Sequence, residues 1–192
     1  SRSASRPATD TAPTKVDLED VAALPAGEQL LLELISVIYE PVSTAFLTKC
    51  LAALDPPPVA NRRLGEGGVG EMVARLRRKG LLHGKNQCPP LLAEQLTRQA
   101  VAGRRFRRFA ALVEKAAPVD YMHGKWVTRC WRALRQFRIG VYSQDFDRLD
   151  EALAFLEGSC RPYLHTEPPA VLVTASAFDP VWFGGLPGSL QF

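Results

Sequence analysis

The chain has 192 residues, of which 46% are hydrophobic and 23% charged, and a formal net charge of +4; this is the composition of a soluble globular protein able to bury a core as one domain or two small ones. No apolar run approaches the roughly 18 to 20 residues that cross a bilayer. The polar opening SRSASRPATDTAPTK also lacks the apolar stretch of a secretory signal, so a cytoplasmic protein with no membrane contact is expected.

The charge is unevenly spread. Residues 1–60 carry 4 basic and 8 acidic side chains, residues 61–115 carry 13 and 4, and residues 116–192 carry 7 and 8. Positive charge is therefore concentrated in the middle third, which says more about partners than the overall balance does.

In chain order, residues 1–25 are expected to be a disordered or non-native lead. AGEQLLLELISVIYE then spaces Leu30, Leu31, Leu34, Ile35 and Ile38 at helical intervals. Pro41 stops that helix, because the residue before a proline is pushed out of the helical region. VSTAFLTKCLAAL follows, with Ser43 or Thr44 as its cap and Phe46, Leu47, Cys50, Leu51 and Leu54 as its buried stripe. DPPPVANRR can only be a loop. A third helix is predicted over Val69–Lys79 with Val69, Met72, Val73 and Leu76 inward, and Gly80 ends it. LLHGKNQCPP has the makings of a short hairpin: Leu81 and Leu82 lead in, HGKN turns, and Gln87 and Cys88 return.

Three helices followed by a small hairpin is the order of a winged helix. The phrase MVARLRRKGLL resembles the end of the third helix in winged-helix proteins, where it runs into the wing. The resemblance covers residues 26–90. It implies a fold in which the third helix and the wing form a nucleic-acid surface in many members and a packing surface in others. The remainder, residues 91–165, reads as helical. PLLAEQLTRQAVAGRRFRRFAALVEKAA is a long helix broken near Gly103, and HGKWVTRCWRALRQFRIGVYSQ is another. DFDRLDEALAFLEG is a shorter one, capped by Asp145 and stopped at Gly158. The pair over 125–158 is similar to one helical hairpin of a tetratricopeptide-type array. Residues 166–192 are expected to be extended, with one short element around Val171–Val173 and with Phe178, Trp182 and Phe183 covering an apolar face. The expected class is mainly α, a winged helix-turn-helix module plus a helical hairpin or bundle module, cut from a longer protein.

RRLGEGGVGEMVARLRRKG contains a literal G-x-G-x-x-G at Gly65, Gly67 and Gly70. A dinucleotide site needs a strand before it and a carboxylate about 20 residues after it. Here a proline-rich loop precedes it and KNQCPPLL follows. A Walker loop needs Gly-Lys-Ser/Thr, whereas Glu71 follows Gly70 and would repel phosphate. The glycines read as a flexible turn feeding the third helix, and no cofactor is expected. His83, His123 and His165 fall in separate loops without ligand spacing, so no metal is expected. Asp145, Asp147, Asp150 and Glu151 crowd the first turn of a helix, where carboxylates favour the dipole. Cys50 and Cys130 lie on apolar faces and read as buried thiols, and the scattered four, Cys50, Cys88, Cys130 and Cys160, do not read as a disulfide framework. No catalytic arrangement emerges, and the chain is not read as an enzyme.

Arginine forks suit phosphate, and their clustering on one segment is the footprint of nucleic-acid binding. The candidate set is Arg62, Arg63, Arg75, Arg77, Arg78, Lys79, Lys85, Arg98, Arg104, Arg105 and Arg108. The competing reading is that these pair with the acidic first sixty residues, for instance Asp17, Glu19 and Asp20. Arg129, Arg132, Arg135 and Arg138, one every three residues, read as a solvated helix face. The function expected is nucleic-acid binding, duplex DNA first, by an accessory or regulatory domain of a larger protein. The alternative is a winged-helix protein-interaction module of a larger ATPase or regulator, docking through Trp182 and Phe183.

Overall fold

The computed structural model describes residues 18–54, 66–160, 171 and 180–185. Helix α1 (Leu18–Ala22) is short, and α2 (Ala26–Ile38) is the central element. Leu31, Leu32, Leu34, Ile35, Val37 and Ile38 of α2 are all at most 2% exposed, so the helix is buried nearly all round. The lead is thus folded from Leu18 onward. Val21 and Leu24 are buried in the core, and the Gln29 amide donates to the Ala22 and Leu24 carbonyls at 3.0 and 2.7 Å. Helix α2 ends where Pro41 requires: Tyr39 takes a left-handed φ of 57° and donates its N–H to the Ile35 carbonyl.

Helix α3 (Thr44–Ala52) is capped by Ser43, whose side chain accepts from the Phe46 N–H at 3.2 Å. Helix α4 (Glu66–Arg78) buries Val69, Met72, Val73 and Leu76, as the spacing predicts. It closes in a Schellman turn: Gly80 adopts φ 73°, and the buried Leu81 donates to the Leu76 carbonyl at 3.0 Å. The helix begins at Glu66, earlier than expected, so Gly67 and Gly70 lie within it and are not a flexible turn ahead of it. Gly65 lies outside the described residues.

The hairpin is reduced to one antiparallel bridge, with His83 and Gln87 exchanging backbone bonds of 2.9 and 3.0 Å. No strand forms among the described residues. Helices α5 (Pro90–Ala102) and α6 (Phe106–Ala116) break at Gly103, and Arg104 makes the turn at φ 57°. Helices α7 (Trp126–Ser143) and α8 (Phe146–Phe155) form the predicted antiparallel hairpin, with Asp145 as the α8 cap. Their axes approach so closely at Gly140 that an added Cβ would lie 2.9 Å from the Leu149 Cβ. A π-helical turn, Leu156–Cys160, continues α8 past the expected stop at Gly158. A last short helix, α9, spans Pro180–Gly184.

Helices α5 and α6 lie against α2, and one apolar core runs from Val21 to Cys160. One expectation is corrected. Cys130 is not a free thiol. It is bonded to Cys160, with Cα atoms 5.8 Å apart, because the antiparallel α7–α8 hairpin returns the chain to the start of α7. Cys50 and Cys88 are the buried free thiols, and burial pushes them up to about 11 and about 12. The mainly helical class holds, and no helix among the described residues is long and apolar enough to cross a membrane.

Candidate nucleic-acid interface

The middle-third cations divide by what faces them. Helix α2 carries buried glutamates at positions 28 and 33, and Glu40 just beyond its end is buried too. Arg75 on α4 donates to Glu28 at 2.6 Å. Arg105, at the start of α6, grips Glu33 with two bonds of 2.7 and 2.6 Å. That fork holds the Arg105 guanidinium above its ordinary value, chiefly by hydrogen bonding to Glu33. The acidic first sixty residues therefore do absorb basic charge. They do so through Glu28, Glu33 and Glu40, because these sit on the helix that the others pack around.

Arg77 is held by the turn, donating to the Gly84 carbonyl at 3.0 Å and to the Asn86 side chain at 2.8 Å. The turn is itself anchored: the Val42 N–H donates to the Lys85 carbonyl at 2.9 Å, and the Asn86 amide donates to the Val42 carbonyl at 2.9 Å. The last turn of α4 and the 83–87 turn thus form one corner, and Arg78, Lys79 and Lys85 are exposed there. Among the described residues none of these three has an ion-pair partner, nor does the exposed Arg104 at the α5–α6 junction. Arg98 is half-buried on α5 and Arg108 is exposed on α6, and both are engaged in further interactions. Arg62 and Arg63 lie outside the described residues. So does the Trp182 side chain, while Phe183 is half-buried and packs against the core.

The three-residue spacing of the α7 arginines predicts a solvated face, and the structure overturns that for the two innermost. Arg135 and Arg138 are 0% and 2% exposed. Arg138 donates to Glu94 at 2.7 Å, to the Ser36 carbonyl at 2.8 Å and to Thr97 at 2.9 Å, with its guanidinium 3.8 Å from the Tyr39 ring centroid. Tyr142 donates its hydroxyl to the second Glu94 oxygen at 2.6 Å. Burial alone would lower the Arg138 value; the Glu94 charge, helped by Tyr39 and Tyr142, outweighs it and leaves the guanidinium raised. Arg135 bonds Glu40 at 3.1 Å and the Ala117 carbonyl, and desolvation wins there, so its value is lowered. Arg129 and Arg132 donate to the Tyr121 and Pro118 carbonyls at 2.8 and 2.9 Å. Together these side chains satisfy carbonyls that the end of α6 and its following loop leave open.

Comparison with protein-family models, with curated proteins and with solved structures gives no match.

Proposed function

We propose that this chain is a non-catalytic accessory module that binds nucleic acid through its phosphates, using the corner formed by the end of α4 and the 83–87 turn. The observation that carries this reading is the gathering of Arg78, Lys79 and Lys85 at one hydrogen-bonded corner, with no ion pair to a carboxylate among the described residues. A winged-helix arrangement is supported by the order α2, α3, α4, turn, and by the Val42 backbone bond to Lys85, which ties the α2–α3 connection to the turn. The wing is then very small. The outward face of α4 before its last turn offers Gly67, Glu71 and Ala74, which are poorly suited to readout of base edges, so phosphate contact is left to the basic corner.

The test is fluorescence anisotropy with labelled duplex DNA, single-stranded DNA and RNA across a salt series. Changing Arg78, Lys79 and Lys85 together to Glu should weaken duplex binding at least tenfold. The corresponding triple Ala variant should flatten the salt slope by about 0.9 for each phosphate contact removed. Affinity that survives the Glu variant unchanged would overturn the assignment. No binding at low salt would pass the corner to a protein partner.

A further inference from the structure

A groove lies where the end of α6, the loop after it, α7 and the start of α8 meet. Its volume is about 470 Å³, within the range of small-ligand sites. Glu114, Asp145, Asp147 and Glu151 line it, with Arg148 as the lone cation. Arg148 is already held, bridging Glu114 and, at 3.2 Å, Asp145. Four carboxylates against one guanidinium leave a net charge of −3. Asp145 has a structural task as the α8 cap, Asp147 sits in the favourable first turn, and Glu114 is bridged to Arg148, but none of these explanations reaches Glu151.

A second observation is independent of the charge. Gln136 of α7 lines the same groove and is only 4% exposed. Its side-chain amide has no hydrogen-bond partner among the described residues, so its donors and its acceptor are free to meet a molecule in the groove. An amide at the groove can turn its oxygen toward an incoming donor. The lining also includes Pro118, Val119 and the half-buried Tyr121, an apolar surface for a hydrocarbon stem. Burial, then the Glu151 charge, pushes the Tyr121 hydroxyl up to about 12, so the ring adds no anion. Among the described residues no group of three or more His, Cys, Asp or Glu side chains is arranged to hold a metal ion.

We infer that this groove is a binding site for an organic cation, a guanidinium or alkylammonium group whose N–H donors reach the Gln136 amide while its charge meets Asp147 and Glu151. The site is distinct from the basic corner and does not depend on the nucleic-acid reading.

The experiment is isothermal titration calorimetry on the whole chain at low salt with two probes, spermidine and N-acetylarginine amide. Side-chain amide NMR signals are followed in parallel. Saturable one-to-one binding of either probe is expected, with the Gln136 side-chain amide signal shifting along the same isotherm. Spermidine alone binding would point to a free polyamine, and the arginine amide alone to an arginine of a partner chain; both support the site. The exposed pair Asp147→Asn with Glu151→Gln should weaken binding at least tenfold, and Gln136→Met at least fivefold. If Gln136→Met does not fold, the shift of the wild-type amide signal stands in its place. No saturable binding, equal binding to the Asp147→Asn/Glu151→Gln variant, or an unmoved Gln136 amide would overturn the proposal.

Discussion

Helix α7 carries RCWRALRQFR and helix α4 carries ARLRR, two arginine-rich strings with opposite fates. In α7, Arg135 and Arg138 are buried because Glu40 and Glu94, themselves 5% and 0% exposed, stand opposite them. Toward the end of α4, Arg75 finds Glu28, but Arg78 and the adjoining Lys79 have no ion pair among the described residues. A guanidinium is taken out of water only where carboxylates and open carbonyls meet its donors on several sides. What separates scaffold from surface is therefore the facing helix, not the basic string itself.

The sharpest way to break this comparison is to remove the carboxylate inside the α7 cluster. Glu94→Ala leaves the Arg138 guanidinium and the Tyr142 hydroxyl without their acceptor in a site that water does not reach. A loss of about 3 to 5 kcal/mol is expected, measured by urea unfolding at neutral pH. A loss below about 1 kcal/mol would mean that Arg138 escapes to solvent and is no scaffold residue. Arg105→Ala is the intermediate case. It strips Glu33 of a two-bond partner, but the Arg105 side chain is 45% exposed, so solvent screens what is lost. About 1 to 2 kcal/mol is expected by the same unfolding measurement.

Helices were legible in the sequence wherever one face was apolar. The stripes of α3 and α4, the Ser43 and Asp145 caps, the Gly80 stop and the α7–α8 hairpin all follow from spacing and local chemistry. What escaped was set by partners distant in sequence. Arg138 meets Ser36 across 102 residues and Glu94 across 44, and Cys130 meets Cys160 only because the hairpin folds back. A three-residue arginine spacing looks the same on a solvated face and in a buried comb. One signal was present: the α7 arginines alternate with Trp131, Leu134 and Phe137, leaving little polar face for a solvated stripe. The packing across residue 90 is distant in the same way, since Leu92, Ala93 and Leu96 need an apolar surface and α2 supplies it.

The smallest effect is also the most discriminating. Arg78→Ala and Lys79→Ala remove side chains that make no ion pair among the described residues, and alanine favours a helix at least as well as either. Each should change stability by no more than about 0.5 kcal/mol. If the corner grips phosphates, the same two variants must lower duplex affinity while the unfolding midpoint stays in place. Arg105→Ala should lower the midpoint, with any loss of affinity disappearing under conditions where the fold is fully populated. A stability cost at Arg78 comparable to that at Arg105 would show that the α4 end is scaffold too. The two arginine-rich helices would then differ in degree alone.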